Sequence, residues 1–498
     1  LSSIESAFDE LAAMAKGLAI LRELTPRTSD VILSRGERLA SILFAAALAE
    51  LGTPSKVVDA ALLIPTDGRH GNAFPDLAAS DRAISQKLAP LLARGTTPVV
   101  PGFLGSAPDG RVVTLGRGGT DLTATVLGRA LGASRIVLWK DVPGLLTADP
   151  RVVPDARVLP RLDLREAAEL AYYGAKVLHP RALIPLSSLP TSANGDGARP
   201  PLFIRPFAEP SAAGTEITSL APSRHDRAHP VRALTAMRSQ ALLTVAGNGM
   251  MGVPGVAART FTALQREGIS VALITQASSE HSLGIGIPKG DADRARAALL
   301  EAFREEITRR EVDGVEIRRD LATIAVVGLG MPGTLGMAAK VFAALAAAEI
   351  NVVAIAQGSS ELNLSVVVDE KRADEALRRI HSVFQLGKIG GGHPAPATRS
   401  DVVLLGFGSV GRELARLLGK VKPGDAGSNL RVVAVVDRSG YVFRPEGIDS
   451  KSLEKLASAK KKGKALASLT GGWPATPNDA IAAIASHALA RPLLADLT

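Results

Sequence analysis

Clustered glycines beside charged side chains mark the first part of the chain that could do chemistry. Residues 115–121 read LGRGGTD, and the three glycines free the backbone to approach a ligand. Arg117 adds a planar guanidinium group that suits a carboxylate or a phosphate. A helix is predicted to open at about residues 120–121, so its positive end would point at the same ligand. Asp121 fits two roles equally: a residue that stabilises the helix dipole, or a catalytic carboxylate.

A second group of polar residues follows the next predicted strand. That strand ends at Lys140 and Asp141, a turn follows, and Asp149 and Arg151 come soon after it. Ligand sites of α/β sheets lie at the carboxyl ends of strands, which is where these residues fall. Lys176, in the sequence GAK, could reach a phosphate. A single lysine or arginine is more often part of a surface salt bridge, but the order and density of this set favour an anion-binding site.

A third group has the pattern of a dinucleotide-binding turn. The apolar strand 402–405 runs into GFGSVG at 406–411, a helix follows, and a second strand, VVAVVD, ends in Asp437. The first glycine would make the turn, the second would admit a pyrophosphate, and the third would let helix meet strand. Asp437 would bond ribose hydroxyls, whereas Arg438 could meet a 2′-phosphate, so NAD and NADP both remain open. The residues predicted to contact this cofactor are Gly406, Phe407, Gly408, Ser409, Val410, Gly411, Asp437, Arg438 and Thr498.

Between these regions the chain repeats itself. The segment 245–287 recurs without gaps at 326–368, 81 residues further on, which indicates a duplicated small domain. Each copy is predicted to form strand, Gly-rich turn, amphipathic helix, strand, polar turn and strand. A glutamine at equivalent strand ends could donate to and accept from an α-amino acid, although the glycines and helices alone fit turns and core. The residues predicted to bind this effector are Gln276, Gln357, Asn248 and Met250.

The elements that must position these residues belong to the α/β class. Predicted helices at 36–51 and 121–131 alternate with predicted strands at 97–101 and 135–139, which favours a largely parallel sheet. A chain of 498 residues is too long for one domain. The predicted domains are 1–222, 231–315, 316–392 and 399–498.

Composition argues against several functions. The formal charge is +9, but the basic residues are scattered, aromatic residues make up 3%, and no DNA- or RNA-reading motif occurs, so we expect anionic small molecules rather than nucleic acid as partners. The absence of cysteine excludes disulfides, thiolate catalysis and Cys-ligated metals, and we expect no metal site. The apolar runs are too short to cross a bilayer and no export signal opens the chain, so we expect no membrane partner and a cytoplasmic location.

The first region closely resembles the aspartokinases of the amino-acid kinase family. The resemblance rests on LGRGGTD, KDVPGLLTADPR, AAELAYYGAKVLHPRAL, SRGERLASILF and PTDGRHGNAFPDLAAS, and it covers roughly residues 1–220. It implies an amino-acid kinase-like α/β fold and transfer of the γ-phosphoryl group of MgATP to the β-carboxylate of L-aspartate. It also implies that Glu37 and Arg117 hold the aspartate, with Asp121 beside them. The residues that fall in the implied ATP-binding segments are Asp141, Leu146, Asp149, Arg151 and Lys176.

Two departures from the aspartokinase pattern stand out. The family's amino-terminal strand and glycine loop, K-F-G-G-T-S, does not occur in this sequence, so we expect little kinase turnover from the chain as given. Leu146 stands where many members carry Tyr, and Lys140 where many carry Thr.

The remaining regions resemble two further families. Both copies of the repeat resemble ACT domains (βαββαβ-type regulatory modules), which implies a homo-oligomer formed through them and feedback by an amino acid, with threonine favoured. The segment from 399, with GFGSVG, DRSGYVFRPEGID and the closing LADLT, resembles the start of homoserine dehydrogenase, a partial Rossmann domain. The order kinase, two ACT domains, dehydrogenase is that of the bifunctional aspartokinase–homoserine dehydrogenases. Their second reaction is the NAD(P)H-dependent reduction of aspartate semialdehyde to homoserine.

The ends of the sequence suggest alternatives. Because the chain begins with Leu1 and ends at Thr498 within an α/β unit, we expect a fragment, with the catalytic half of the dehydrogenase beyond Thr498. A catalytically silent chain that binds an amino acid and regulates is the competing interpretation. A DNA-binding regulator that uses the ACT copies is disfavoured by the lack of a DNA-reading element.

Overall fold

The computed structural model describes most of the chain and divides it into two compact units. The described residues are 2–174, 177–189, 199–219, 229–250, 253, 255–276, 281–389, 400–421, 427–444, 447–485, 489 and 491–498. Unit 1 contains residues 1–145 and 160–221, and unit 2 contains 146–159 and 222–498. A short segment that lies inside the kinase-like region of the sequence therefore belongs to the other unit.

Helices supply most of the regular secondary structure of unit 1. They are α1 (Ser2–Leu21), α2 (Pro26–Glu50), α3 (Leu77–Ala93), α4 (Gly119–Ala130), α5 (Leu164–Tyr172) and α6 (Ile184–Ser187). Helix α2 begins at Pro26 rather than at residue 36, because Thr25 caps it, its hydroxyl accepting from the N–H of Thr28 at 3.1 Å, and proline suits the first helical position. Leu88 of α3 and Leu122 and Val126 of α4 are buried in one core cluster of this unit.

The strands of unit 1 form small mixed sheets. They are β1 (Ser55–Val57), β2 (Thr97–Val99), β3 (Leu104–Ser106), β4 (Val112–Thr114), β5 (Ile136–Lys140), β6 (Arg161–Asp163), β7 (Leu202–Pro206) and β8 (Thr215–Thr218). Strand β1 pairs in parallel with β2, β3 and β4 form an antiparallel hairpin, and the order β5-β7-β8-β6 mixes both directions. Three of these five pairings are parallel, so the expected parallel character holds in part, and the hairpin of β3 and β4 and the pair of β7 and β8 are antiparallel.

The duplicated segments form one antiparallel six-stranded sheet in unit 2, in the order β10-β11-β9-β12-β14-β13. The strands are β9 (Ala233–Ala246), β10 (Leu273–Gln276), β11 (Ser282–Pro288), β12 (Gly314–Val327), β13 (Ala354–Gln357) and β14 (Asn363–Asp369). The helices of the first copy are α7 (Val256–Arg266), α8 (Ala292–Ala302) and α9 (Arg304–Thr308), and those of the second are α10 (Met337–Ala346) and α11 (Ala373–Val383). The predicted order of elements is confirmed in both copies over the described residues.

The two copies interlock through their long central strands. The first half of β9 pairs with the second half of β12, and the second half of β9 with the first half of β12. The long strand of each copy therefore extends into the sheet of the other copy. Ser239 and Asp320, 81 positions apart, both take a positive φ (54° and 58°) where the register between β9 and β12 shifts. Their contacts repeat too, since Ser239 N–H donates to Glu370 at 3.1 Å and Lys289 donates to Asp320 at 2.5 Å. The predicted boundary between residues 315 and 316 thus falls inside β12.

The last part of unit 2 is a Rossmann-like sheet in the order β18-β17-β16-β15-β19. Its strands are β15 (Ser400–Leu405), β16 (Leu430–Asp437), β17 (Gly440–Phe443), β18 (Gly472–Trp473) and β19 (Leu493–Asp496), and its helices are α12 (Ser409–Lys420), α13 (Ser450–Lys461) and α14 (Pro477–Ala485). Strand β15 pairs in parallel with β16 on one side and β19 on the other, so its carboxyl end is a point where the strand order reverses. Ligands of open α/β sheets bind at such a point.

Candidate active site

A pocket in unit 1 collects the residues predicted to bind aspartate. Its volume is about 350 Å³, and its lining residues are Glu37, Phe103, Gly116, Arg117, Gly118, Gly119, Thr120, Asp121 and Lys140. Helix α4 begins at Gly119 within this wall, so the first turn of the helix, the positive end of its dipole, borders the pocket. Glu37, Arg117 and Asp121, chosen from separate parts of the sequence, are brought together here.

Lys140 is the residue that gives the pocket its second cation. Its Nζ donates to both carboxylate oxygens of Asp121 at 2.8 Å, and the two side chains are 24% and 15% exposed. Both carboxylate oxygens of Asp121 therefore accept from Lys140 rather than from the N–H groups of the helix, which weakens the interpretation of Asp121 as a helix cap. The sequence predicted that Lys140 lies at a strand end, where many aspartokinases carry Thr, but it did not predict the ion pair between Lys140 and Asp121.

The glycine turn of the pocket is fixed by close contacts. Gly118 has a φ of +74°, and a Cβ there would lie 2.3 Å from Cβ of His179. Arg181 donates to the carbonyl of Leu115 at 2.5 Å and to Asn72 Oδ1 at 2.6 Å, which ties down the start of the turn. Burial, together with the nearby charge of Arg181, lowers the pKa of His179 and so favours its neutral imidazole. His179 and Arg181 belong to the HPRAL motif, whose positioning role the sequence did not reveal.

The residues predicted to bind ATP are divided between the two units. Asp141 lies in unit 1, whereas Leu146, Asp149 and Arg151 belong to unit 2. Arg151 donates to Asp149 from Nε at 3.0 Å and from Nη2 at 2.6 Å, and this hydrogen bond holds the pKa of Asp149 below its ordinary value. Lys176 lies outside the described residues.

The predicted dinucleotide turn has the shape that its glycines require. A Cβ on Gly408 would have nothing within 4 Å, whereas one on Gly411 would lie 2.0 Å from the carbonyl oxygen of Gly406. Gly408 therefore leaves open space in front of the first turn of α12, and Gly411 allows helix and turn to touch. Thr498 lies beside the turn, since a Cβ on Gly406 would be 2.8 Å from its nitrogen. Ser409 and Val410 are exposed beside this opening, but the Phe407 side chain is 1% exposed in the core, so it offers a ligand its backbone alone.

The end of β16 carries a network that the sequence did not predict. Lys460 Nζ lies 2.6 Å from Asp437 Oδ2, and Ser439 donates to Asp437 Oδ1 from its N–H at 2.7 Å and its hydroxyl at 2.6 Å. Burial alone would raise the pKa of Asp437, but these bonds outweigh it and hold the pKa below its ordinary value. Arg438 is exposed beside this network.

The predicted effector residues occupy the two outer strands of the six-stranded sheet. Gln276 ends β10 and Gln357 ends β13, and both side chains are exposed. Met250 is 4% exposed within the core of the first copy, so its backbone alone could meet a ligand. Asn248 lies in the short turn beside it, and its side chain is outside the described part of the structure. The effector role of all four stays a prediction.

The described residues contain neither a cluster of metal ligands nor a membrane-spanning helix. No group of three or more histidine, aspartate or glutamate side chains within those residues could hold a metal ion. None of the described helices is long and apolar enough to span a membrane. The cytoplasmic location stays a prediction.

Family models match each of these regions. Residues 4–191 match the amino acid kinase family, 243–303 and 324–384 each match an ACT domain, and 393–488 match glutamate/leucine/phenylalanine/valine dehydrogenase. The amino-acid kinase fold and the tandem ACT domains predicted from the sequence are thereby confirmed. The fold and the pocket define an amino-acid kinase with a regulatory ACT pair.

Comparisons with individual proteins narrow this class. The lysine-sensitive aspartokinase 3 of Escherichia coli is 33% identical over 380 residues, which cover 76% of this chain and 80% of that protein. A crystal structure of E. coli aspartokinase III with aspartate and ADP matches with a TM-score of 0.65 at 32% identity, covering 77% of this chain and 81% of that one. The chain belongs to the aspartokinase family.

Over more of its length the chain is similar to bifunctional relatives. The bifunctional aspartokinase/homoserine dehydrogenase of Haemophilus influenzae is 34% identical over 449 residues, 90% of this chain and 52% of that protein. A chloroplastic counterpart from Zea mays is 33% identical over 454 residues, 90% of this chain and 47% of that protein. The chain thus spans about half the length of these curated relatives. The predicted resemblance to the bifunctional enzymes is confirmed.

Proposed function

We propose that this chain transfers the γ-phosphoryl group of MgATP to the β-carboxylate of L-aspartate. The observation that carries the proposal is the pocket in which Arg117 and Lys140 face Glu37 and Asp121 at the start of α4. Phosphoryl transfer needs positioning and cationic charge around the moving group more than a covalent intermediate. A pocket that combines two cations with the start of a helix therefore suits phosphoryl transfer.

Each charged side chain of the pocket has a distinct role in this proposal. Arg117 binds a carboxylate of aspartate through its planar guanidinium, and Glu37 accepts from the α-amino group. Lys140, released in part from Asp121 when substrate enters, stabilises negative charge on the transferring group. The helix N-terminus adds backbone N–H groups without reorganisation.

The test is the formation of aspartyl phosphate, trapped with hydroxylamine. Arg117→Ala should lose roughly 2–4 kcal/mol of transition-state stabilisation, as removal of one charge-stabilising contact does. Arg111→Ala is the matched control, because Arg111 is an exposed arginine of the same unit that pairs with Asp109 in a surface turn. Equal rates in the two variants would remove Arg117 from the site. A chain that binds aspartate and ADP yet forms no hydroxamate would instead support the silent regulatory alternative.

We further propose that the ACT pair binds a feedback amino acid, with threonine favoured. Support comes from the exposed Gln276 and Gln357 at equivalent ends of outer strands, where amide groups are free to meet an α-amino acid. The same outer strands expose Ile274 (51%) and Ile355 (44%) and suit pairing with a second copy of the chain, so a homo-oligomer is part of the proposal.

Calorimetric titration with L-threonine, L-lysine and L-methionine tests the sensor. Threonine should give heat and raise the melting temperature, and Gln276→Ala or Gln357→Ala should weaken both effects. Gln265→Ala, an exposed glutamine on α7 of the first copy, is the control that should change neither. Absence of heat and of any thermal shift with all three amino acids would refute the sensor.

We propose that the Rossmann-like part binds NADPH, as the hydride source for the reduction of aspartate semialdehyde to homoserine that the resemblance to homoserine dehydrogenase implies. Its turn fits a dinucleotide, because Gly408 leaves open space before the N-terminus of α12. NADPH is favoured over NADH because Lys460 already offsets the charge of Asp437, and Arg438 adds a second cation beside it. A 2′-phosphate would meet two positive groups there.

Fluorescence titration with NADPH and NADH tests this choice without needing turnover. Arg438→Ala and Lys460→Ala should each raise the Kd for NADPH at least about tenfold, since hydrogen bonds to charged groups contribute about 1.5–3 kcal/mol. The Kd for NADH should change much less. Lys461→Ala, the exposed neighbour, is the control. Equal losses for both nucleotides would assign the two cations to structure and leave Asp437 as the reader of the ribose.

A further inference from the structure

The segment 146–159 is built into the second ACT copy. Ala148, Val153 and Ala156 are 4%, 0% and 0% exposed and pack in the core cluster of that copy, together with residues of α10 and α11. The backbone of the segment also joins the sheet, because the N–H of Leu234 in β9 donates to the carbonyl of Thr147 at 2.8 Å. This segment is therefore a structural part of the regulatory domain.

A buried hydrogen bond fixes the middle of the segment to α11. Thr147 Oγ1 lies 3.0 Å from His381 Nε2, and both residues are fully buried. The Thr147 hydroxyl already accepts from the N–H of Arg157 at 2.9 Å, so its own proton is available for a neutral imidazole. The charged groups near His381 are Asp155, whose Oδ1 is 3.7 Å from Nδ1, and Arg157. At 3.7 Å the carboxylate is too distant for a hydrogen bond, so Thr147 is the partner that orients the ring.

A further contact holds the segment 146–159 to the second ACT copy. Arg157 donates from Nε to the carbonyl of Gly387 at 3.0 Å, just beyond α11. A Cβ on Gly387 would lie 2.7 Å from Asp155 Oδ2, so the segment and this loop are in close contact. The segment is held to the second ACT copy by its core, its backbone and two polar side chains.

The first ACT copy shows that this histidine is not required by the ACT fold. The position 81 residues before His381, in the equivalent helix α8, is Leu300, a partly buried member of the first copy's core. Neighbouring positions agree, since Phe303 corresponds to Phe384. The histidine therefore serves a contact that only the second copy makes, its hydrogen bond with Thr147.

We propose that His381 is a positioning residue for nucleotide binding, which acts by holding Thr147 and with it the segment that carries Leu146, Asp149 and Arg151. The inference rests on the proposed kinase function. The affinity for aspartate, which binds at the pocket of unit 1, is not governed by this contact.

The test compares four single variants of the full chain and the double variant Thr147→Val/His381→Leu. Thr147→Val removes the hydroxyl at constant shape, and His381→Leu installs the residue that the first copy carries. His381→Gln keeps a polar group at the end of the side chain. Ser365→Ala is the matched control, because it deletes another buried hydroxyl of the same ACT copy, one that donates to Asn363 at 2.9 Å. The measurements are KM for MgATP and for aspartate by hydroxamate formation, Kd for MgADP by calorimetry, and amide hydrogen exchange in peptides covering 146–159.

Thr147→Val and His381→Leu should raise KM for MgATP and Kd for MgADP roughly 2- to 30-fold, the range seen when one coupling residue is changed. KM for aspartate should stay within about twofold, the double variant should be no worse than the worse single one, and His381→Gln should recover part of the loss. Exchange in 146–159 should rise in the first two variants and not in Ser365→Ala. Unchanged nucleotide affinity in both, or an equal change in Ser365→Ala, would overturn the proposal. If the unaltered chain forms no hydroxamate and binds no MgADP, the proposed kinase function is what has failed.

Discussion

The second and third glycines of the dinucleotide turn, Gly408 and Gly411, should respond differently to the same substitution. A methyl group on Gly408 would meet nothing within 4 Å, whereas on Gly411 it would lie 2.0 Å from the carbonyl oxygen of Gly406. Gly408→Ala should therefore change the free energy of unfolding by no more than about 0.5 kcal/mol, because the poorer helix cap and the lower entropy of the unfolded chain offset each other. It should nevertheless weaken NADPH binding at least about tenfold, or 1.4 kcal/mol, by filling the space that a pyrophosphate needs.

Gly411→Ala should instead destabilise the fold. Alanine inside a helix gains about 1 kcal/mol over glycine, but an atom at 2.0 Å from a carbonyl oxygen forces α12 away from the turn, and overpacking of this kind costs about 1–3 kcal/mol. Gly419→Ala is the control on the same helix, since its added methyl would make ordinary contacts at 3.5 Å. Thermal unfolding and NADPH fluorescence titration measure both properties. Normal NADPH binding by Gly408→Ala, or an unchanged melting temperature for Gly411→Ala, would refute the reasoning.

Three further predictions concern the kinase pocket and the ACT core. Burial and the charge of Arg157 lower the pKa of His381 to about 4, so the neutral imidazole contributes its full stability above pH 6.5 and loses it as the pH falls towards 4. Between pH 7 and pH 4 the free energy of unfolding should therefore fall by about 3 kcal/mol more in the unaltered chain than in His381→Leu. Lys140→Met should lower kcat for hydroxamate formation roughly 100-fold, and adding Asp121→Asn should cost little more if the two side chains act as a pair. Gly118→Ala should raise KM for aspartate and lower the melting temperature by several degrees, because a φ of +74° costs an L-residue about 1–2 kcal/mol before the overlap with its neighbour is counted; unaltered values would show that the turn is not constrained.

The sequence by itself determined the parts of this protein that are written locally along the chain. The 81-residue repeat set the order of elements in both ACT copies, and the predicted strand ends at Gln276, Gln357 and Asp437 are where β10, β13 and β16 end. The turn 406–411 also follows a strand and opens a helix as predicted. Such features follow from side-chain periodicity and from backbone freedom at glycine, which depend on residues close in sequence.

Tertiary structure decided which distant residues meet. No local sequence pattern indicates three of the polar pairs: Lys140 with Asp121, Lys460 with Asp437, and Thr147 with His381, which lies 234 positions away. The same holds for the exchange of strand halves between β9 and β12 and for the inclusion of 146–159 in unit 2. The physical reason is that strand pairing and polar contacts across long separations depend on which surfaces are buried together, and burial is a property of the folded chain rather than of any one segment.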